Sequence, residues 1–210
     1  MLDFSLIHTG QLSVKQFVER ENISPSAFPR LTNEMVDRML ELIADCDDAD
    51  VSFVPDDPNA EDTYAENPDD VSLAWTLGHV IVHTTASAEE SAFLAAELAR
   101  GVEWHGRSRY EVAWETVTMI AQCRARLQES RRMRLATLDV WPQLPHLENT
   151  YEPNPGITHD CLSRFVAGLM HDDAHLGQIQ NVVAQAQRAR RKPRIFARTS
   201  RDESSLIFEI

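Results

Sequence analysis

The chain has 210 residues, 43% apolar and 25% charged, with a net charge of −13 at pH 7. This balance fits one globular domain with a sizeable core and leaves little room for two. No apolar run approaches the ~20 residues that cross a bilayer, and no basic leader precedes a long apolar stretch at the N-terminus. Cys46, Cys123 and Cys161 are odd in number and far apart, which suits reduced thiols better than a disulfide framework. A soluble, cytoplasmic protein without membrane association is expected.

Residues 1–30 read as an N-terminal extension with a short helix around Leu12 to Arg20. From Leu31 to Cys46, apolar residues at Leu31, Met35, Val36, Met39, Leu40, Ile43 and Cys46 follow the 3.6-residue period of a first long helix. Between Asp45 and Asp70 lie eleven acidic residues, no basic one and three prolines, the pattern of a long surface loop. The stretch from about Ser72 to Arg100 is alanine-rich and free of proline, and Asp69, Asp70 and Ser72 offer capping oxygens for this second helix. Gly101 to Gly106 breaks it, and Tyr110, Trp114, Val117, Ile120, Cys123 and Leu127 trace a third helix to about Arg132. Pro142, Pro145, Pro153, Pro155 and Gly156 hold the next segment in a loop. Thr158 offers an N-cap, with Asp160 in the first turn, for a fourth helix ending near Arg191, before Pro193. Residues 193–210 form a C-terminal arm.

Four long helices with little strand signal give an all-α fold, a four-helix bundle over residues 31–192. On a wheel of the fourth helix, His171, His175 and Gln178 fall within about 60° of one another, and Leu162, Leu169 and Leu176 form a stripe roughly half a turn away. A helix that buries two faces suits a homodimer. The basic stretch Arg188 to Arg201 opposes the acidic loop in sign. Pairing between the two, or with a partner subunit, is favoured over nucleic-acid binding.

The chemistry of the chain lies in two histidine pairs, His79 with His83 and His171 with His175, each at i,i+4 spacing on a predicted helix. Residues at that spacing share a face, so two imidazoles can converge on one metal ion, and three on a rigid scaffold leave a position open for water or substrate. Spacing does not choose between His79 and His83. Glu90 shares the stripe of the first pair and is a candidate proton-handling group. A zincin peptidase is disfavoured because Asp172 stands where that motif needs a longer glutamate. A di-iron bundle is disfavoured because Asp172-x-x-His175 has no counterpart before His79 or His83. His105, His146 and His159 lie in or beside predicted loops, with His146 the one to test for pocket contact. Trp104, Trp114 and Trp141 read as core or loop anchors, and Cys123 and Cys161 as buried thiols.

The run Trp75-Thr76 with His83 eight residues after the tryptophan, together with His171-x-x-x-His175-x-Gly177-Gln178-Ile179, resembles the DinB/YfiT-like superfamily over roughly residues 31–190. The resemblance implies a four-helix bundle, commonly dimeric, with His83, His171 and His175 as ligands of one divalent metal ion, zinc or nickel. It leaves His79 and Gln178 as neighbours of the ligands. It also implies a metal-dependent transferase or hydrolase acting on a small molecule, with a low-molecular-weight thiol as a cofactor in the transferase case. Leu176 stands where the family pattern commonly has arginine, which removes a positive charge near the metal. The rival function is a non-catalytic, stress-related binding module with a structural metal or none. A closed fourth ligand from His79 or Glu90 would favour it.

Overall fold

The computed structural model describes residues 1–61, 68–106 and 112–191, with Asp69 as backbone alone. Two short helices come first, α1 (Ser5–His8) and α2 (Val14–Arg20), the second matching the expected one. A reciprocal cap starts α2: the Ser13 hydroxyl accepts from the Gln16 backbone N–H, and the Gln16 side chain accepts from the Ser13 N–H. Phe4, Phe17, Val18 and Ile23 from this segment are buried within the core of the long helices.

The first long helix, α3 (Phe28–Leu42), is shifted towards the N-terminus relative to its expected span. A 3₁₀ turn over Pro25–Ala27 feeds directly into it, and Pro29 is tolerated in the first turn, where backbone N–H groups lack helical partners anyway. Cys46 is buried but lies beyond the helix end. The acidic stretch contains a helix of its own, α4 (Asp48–Val51), whose N-cap Asp47 accepts from the N–H groups of Ala49 and Asp50. Arg190 pairs with Asp47 and, at 3.2 Å, with Asp50. The acidic loop and the basic stretch therefore meet within one chain.

The second long helix, α5 (Leu77–Ala99), is capped by Thr76, whose hydroxyl accepts from the His79 N–H at 3.3 Å. The oxygens expected to cap it lie too early: Pro68–Asp70 forms a 3₁₀ turn instead. Gly101, at φ +80°, turns the chain out of this helix, a conformation that favours glycine.

The third helix departs most from expectation. Tyr110 lies outside the described residues, and Trp114 and Val117 precede rather than occupy the helix α6 (Ile120–Leu138). The Gln122 side-chain oxygen accepts from the N–H groups of both Thr118 and Met119 and so fixes the start. Trp114 sits in a 3₁₀ turn, Trp114–Thr116, with its ring against His79, and the Val117 backbone packs against Gly78. Their apolar spacing reflects docking of a loop onto α5. At its other end α6 continues past Arg132.

Within the expected proline-rich loop, β1 (Tyr151–Asn154) and β2 (Ile157–His159) pair antiparallel around Pro155 and Gly156, the latter at φ +82°. Thr158 belongs to β2 and caps nothing. The cap of α7 (Cys161–Arg191) is Asp160: its carboxylate accepts from the Ser163 N–H at 2.8 Å, and the Ser163 hydroxyl accepts from the Asp160 N–H at 2.9 Å. The expected C-terminal arm, 193–210, lies outside the described residues.

The fold is all-α, with the hairpin as its only described sheet. The long helices form a ring in the order α5, α6, α3, α7, with α5 against α7 as the most extensive pairing. Phe28 of α3 stacks on Phe165 of α7 at 4.2 Å, and Arg126 of α6 meets the buried Glu89 of α5 at 2.7 Å. Arg134 of α6 reaches across to Asp172 of α7 at 2.6 Å, both nearly inaccessible to solvent. Leu169 is buried, and Leu162 and Leu176 pack against the same chain's core, so the stripe on α7 does not itself require a second subunit. No described helix is long and apolar enough to cross a membrane.

Candidate metal centre

The Thr76 cap sets the register of α5, which puts His79 in its first turn and His83 one turn later. On α7, Asp160 sets the start and His171 and His175 follow on adjacent turns. The two helices face each other, and His83, His171 and His175 come together. One nitrogen of each lies within 4.8 Å of the others, and the Nε2 atoms of His83 and His171 are 3.0 Å apart. Nitrogens around a tetrahedral ion with bonds of about 2.0–2.1 Å lie roughly 3.3 Å from one another, so small side-chain adjustments would let the trio fit zinc.

At His171 and His175 the electrostatics favour the neutral imidazole, the form that binds metal. Burial, followed by the neighbouring His175 and His83, pushes His171 down to about 3. Burial also lowers His175, against an opposing hydrogen bond from Gln178. That bond joins His175 Nδ1 to Gln178 Oε1 at 2.7 Å. An amide oxygen only accepts, so Nδ1 carries the proton and the Nε2 lone pair is left for a ligand.

His79 has a different place. Its ring stacks between Trp75 at 4.4 Å and Trp114 at 4.5 Å, outside the group of three. Trp75 also flanks His83 at 4.6 Å and so forms one wall of the cluster. A model of the DinB superfamily matches residues 31–179 of the chain.

The chain belongs to the DinB superfamily. No curated protein and no solved structure matches it. The DinB match runs from α3 through His175 and Gln178 and leaves α1 and α2 outside.

Two openings reach the cluster. A cleft of about 230 Å³ is lined by Trp75, His175 and Gln178 together with Asp57 and Glu61. A larger cavity of about 780 Å³ is lined by His171 and Glu90, with walls from α1, α2 and the hairpin. Glu90, 8% exposed, thus faces a space that His171 also faces. Asp172, the residue that weakens the zincin and di-iron readings, points away from this DinB cluster to Arg134. Burial raises its carboxyl to about 6 against the pull of that guanidinium.

Arg164 and His159 line the larger cavity too, and neither is picked out by motif reading. A signal for Arg164 was available: it precedes His171 by seven residues, two helical turns, and so lies on nearly the same face. His159 had none, because its burial follows from a hairpin that the prolines disguised. His146 instead packs on Gly101 and closes the end of α5, its N–H donating to the Ala99 carbonyl. Trp104 stacks on Tyr151 and Trp141 packs on Phe28, as anchors would. The three thiols are free and buried, with Cys123 and Cys161 pushed up to about 12 and Cys46 to about 11, so all are protonated at neutral pH.

Proposed function

We propose that the protein binds one divalent metal ion, zinc or nickel, through His83, His171 and His175, and acts as a metal-dependent transferase or hydrolase on a small molecule. One observation carries this: three imidazole donors within 4.8 Å of one another on two facing helices. Among the described residues the group contains no fourth donor, and an open position is what separates catalytic from structural zinc sites. When bound, the ion supplies Lewis acidity that ionises a water or a thiol near neutral pH.

The chain's own residues would do the rest. Gln178 holds His175 in the tautomer that offers Nε2, and Trp75 shields one side of the trio from water. Glu90 is placed to accept a proton from a substrate in the larger cavity, and in the transferase case that cavity admits a low-molecular-weight thiol. Elemental analysis of tag-free protein beside His83→Ala and His171→Ala tests the reading. About one equivalent of zinc or nickel in the native protein, lost from both variants, is expected. If no preparation contains metal or takes it up, the reading fails.

A further inference from the structure

The larger cavity holds a feature that a metal centre does not explain. Its one arginine, Arg164, is half-buried, with Nε shielded from solvent. Among the described residues no carboxylate comes within 4.0 Å of that guanidinium and no side chain accepts a hydrogen bond from it. Two acids at the start and on the length of α7 have partners of their own. Asp160 caps α7 and lies 3.6 Å from Lys15, while Asp173 holds His8 at 3.0 Å. The shielded Nε has no protein acceptor, and an anion in the cavity that accepts from it would relieve that cost.

The surroundings narrow the class of anion. His159 adds no positive charge there, because burial pushes it down to about 4. His8, which also lines the cavity, is taken up by Asp173 at 3.0 Å, so one guanidinium is left for a ligand, which suits a carboxylate better than a phosphate dianion. Arg164 and His171 are two turns apart on α7, about 10 Å along the axis. Apolar side chains, Ala167 and Met170 from α7 and Ile7, Leu12 and Val14 from the N-terminal segment, share the walls with Ser87 and Ser91 of α5.

We propose that this cavity binds a small carboxylic acid with an apolar body about six carbons long, its carboxylate on Arg164 and its far end directed at His171. The far-end half rests on the metal-centre reading above; the Arg164 half does not. The N-terminal segment, outside the family match, would then help to select the substrate.

Calorimetric titration of the full chain with hexanoate and with hexanol, after chelation and after zinc loading, tests both halves. Hexanoate is expected to bind wild-type protein about tenfold more tightly than hexanol in either state, and Arg164→Gln is expected to abolish that preference. Arg164→Lys should retain part of it. The comparison of the two ligands on wild-type protein stands even if a variant folds poorly. Equal affinity for acid and alcohol, or an undiminished preference in a folded Arg164→Gln, would overturn the proposal. 6-Mercaptohexanoate should exceed hexanoate only in zinc-loaded protein, and no gain there would remove the far end from the metal. Protein that takes up no zinc but still prefers hexanoate through Arg164 would sink the metal reading and leave the anion site standing.

Discussion

Single side chains in this bundle act mainly by fixing the state of a neighbour. Gln178 does so for His175, since its oxygen selects the ring nitrogen that keeps the proton. Replacing Gln178 by Leu removes that choice without touching a ligand. Zinc affinity, measured by competition with a chromophoric chelator, is expected to fall about 10–100-fold while helicity stays unchanged. Gln178→Glu, which keeps an acceptor, should lose much less. Arg134 and Asp172 constrain each other more severely, because each is nearly inaccessible to solvent. Removing either one alone leaves a buried charge and should cost roughly 3–5 kcal/mol in urea unfolding, whereas Arg134→Met with Asp172→Leu should cost far less. If the double variant is as damaged as the single ones, the pair is not an isolated unit.

At the scale of the elements, the site depends on how closely α5 and α7 approach. Alanine and serine on α5 meet Gly168 on α7, where an added Cβ would lie 2.8 Å from the Ser91 Cβ and 3.3 Å from the Ala88 Cα. Gly168→Ala should therefore push the helices apart and cost about 1–3 kcal/mol in urea unfolding. Adding Ser91→Gly removes the closest contact and should restore part of the loss. Failure of that rescue would place the strain elsewhere.

The same elements show what the sequence could reveal. Helical periodicity located all four long helices, because an amphipathic stripe is a local property of the chain. It misplaced the start of α6, because Trp114 and Val117 owe their burial to docking on His79 and Gly78, contacts with residues far away in sequence. The β-hairpin was hidden by Pro153 and Pro155, which mark loops and turns alike. Spacing placed two histidine pairs on helices but could not choose between His79 and His83. Only the register of α5 against α7 brings one near the second pair and leaves the other between two tryptophans.

Across the whole molecule, the buried ionisable groups set a pH dependence that the net charge does not reveal. His171 and His159 are lowered by burial to about 3 and about 4, so the fold keeps both neutral where the unfolded chain takes up protons. A depressed histidine contributes stability that is complete above about pH 6.5 and is lost as pH falls towards its folded pKa. Asp172 acts in the opposite sense: raised to about 6, it binds its proton in the fold before it would in the unfolded chain, which offsets one of the two histidines. Burial lowers His175 as well, so between pH 6 and 4.5 unfolding takes up at least about one proton and metal-free protein should lose about 1.4 kcal/mol or more per pH unit on acidification. Urea midpoints at pH 7.5, 6.5, 5.5 and 4.5 read this directly, and an unchanged m-value would show that only stability has moved. His171→Gln should flatten the acid limb, and adding His159→Gln should flatten it further, because His175 alone would then oppose Asp172. A native midpoint independent of pH across this window would mean that the histidines beside the cavity are solvated, with nothing holding them ready for a metal.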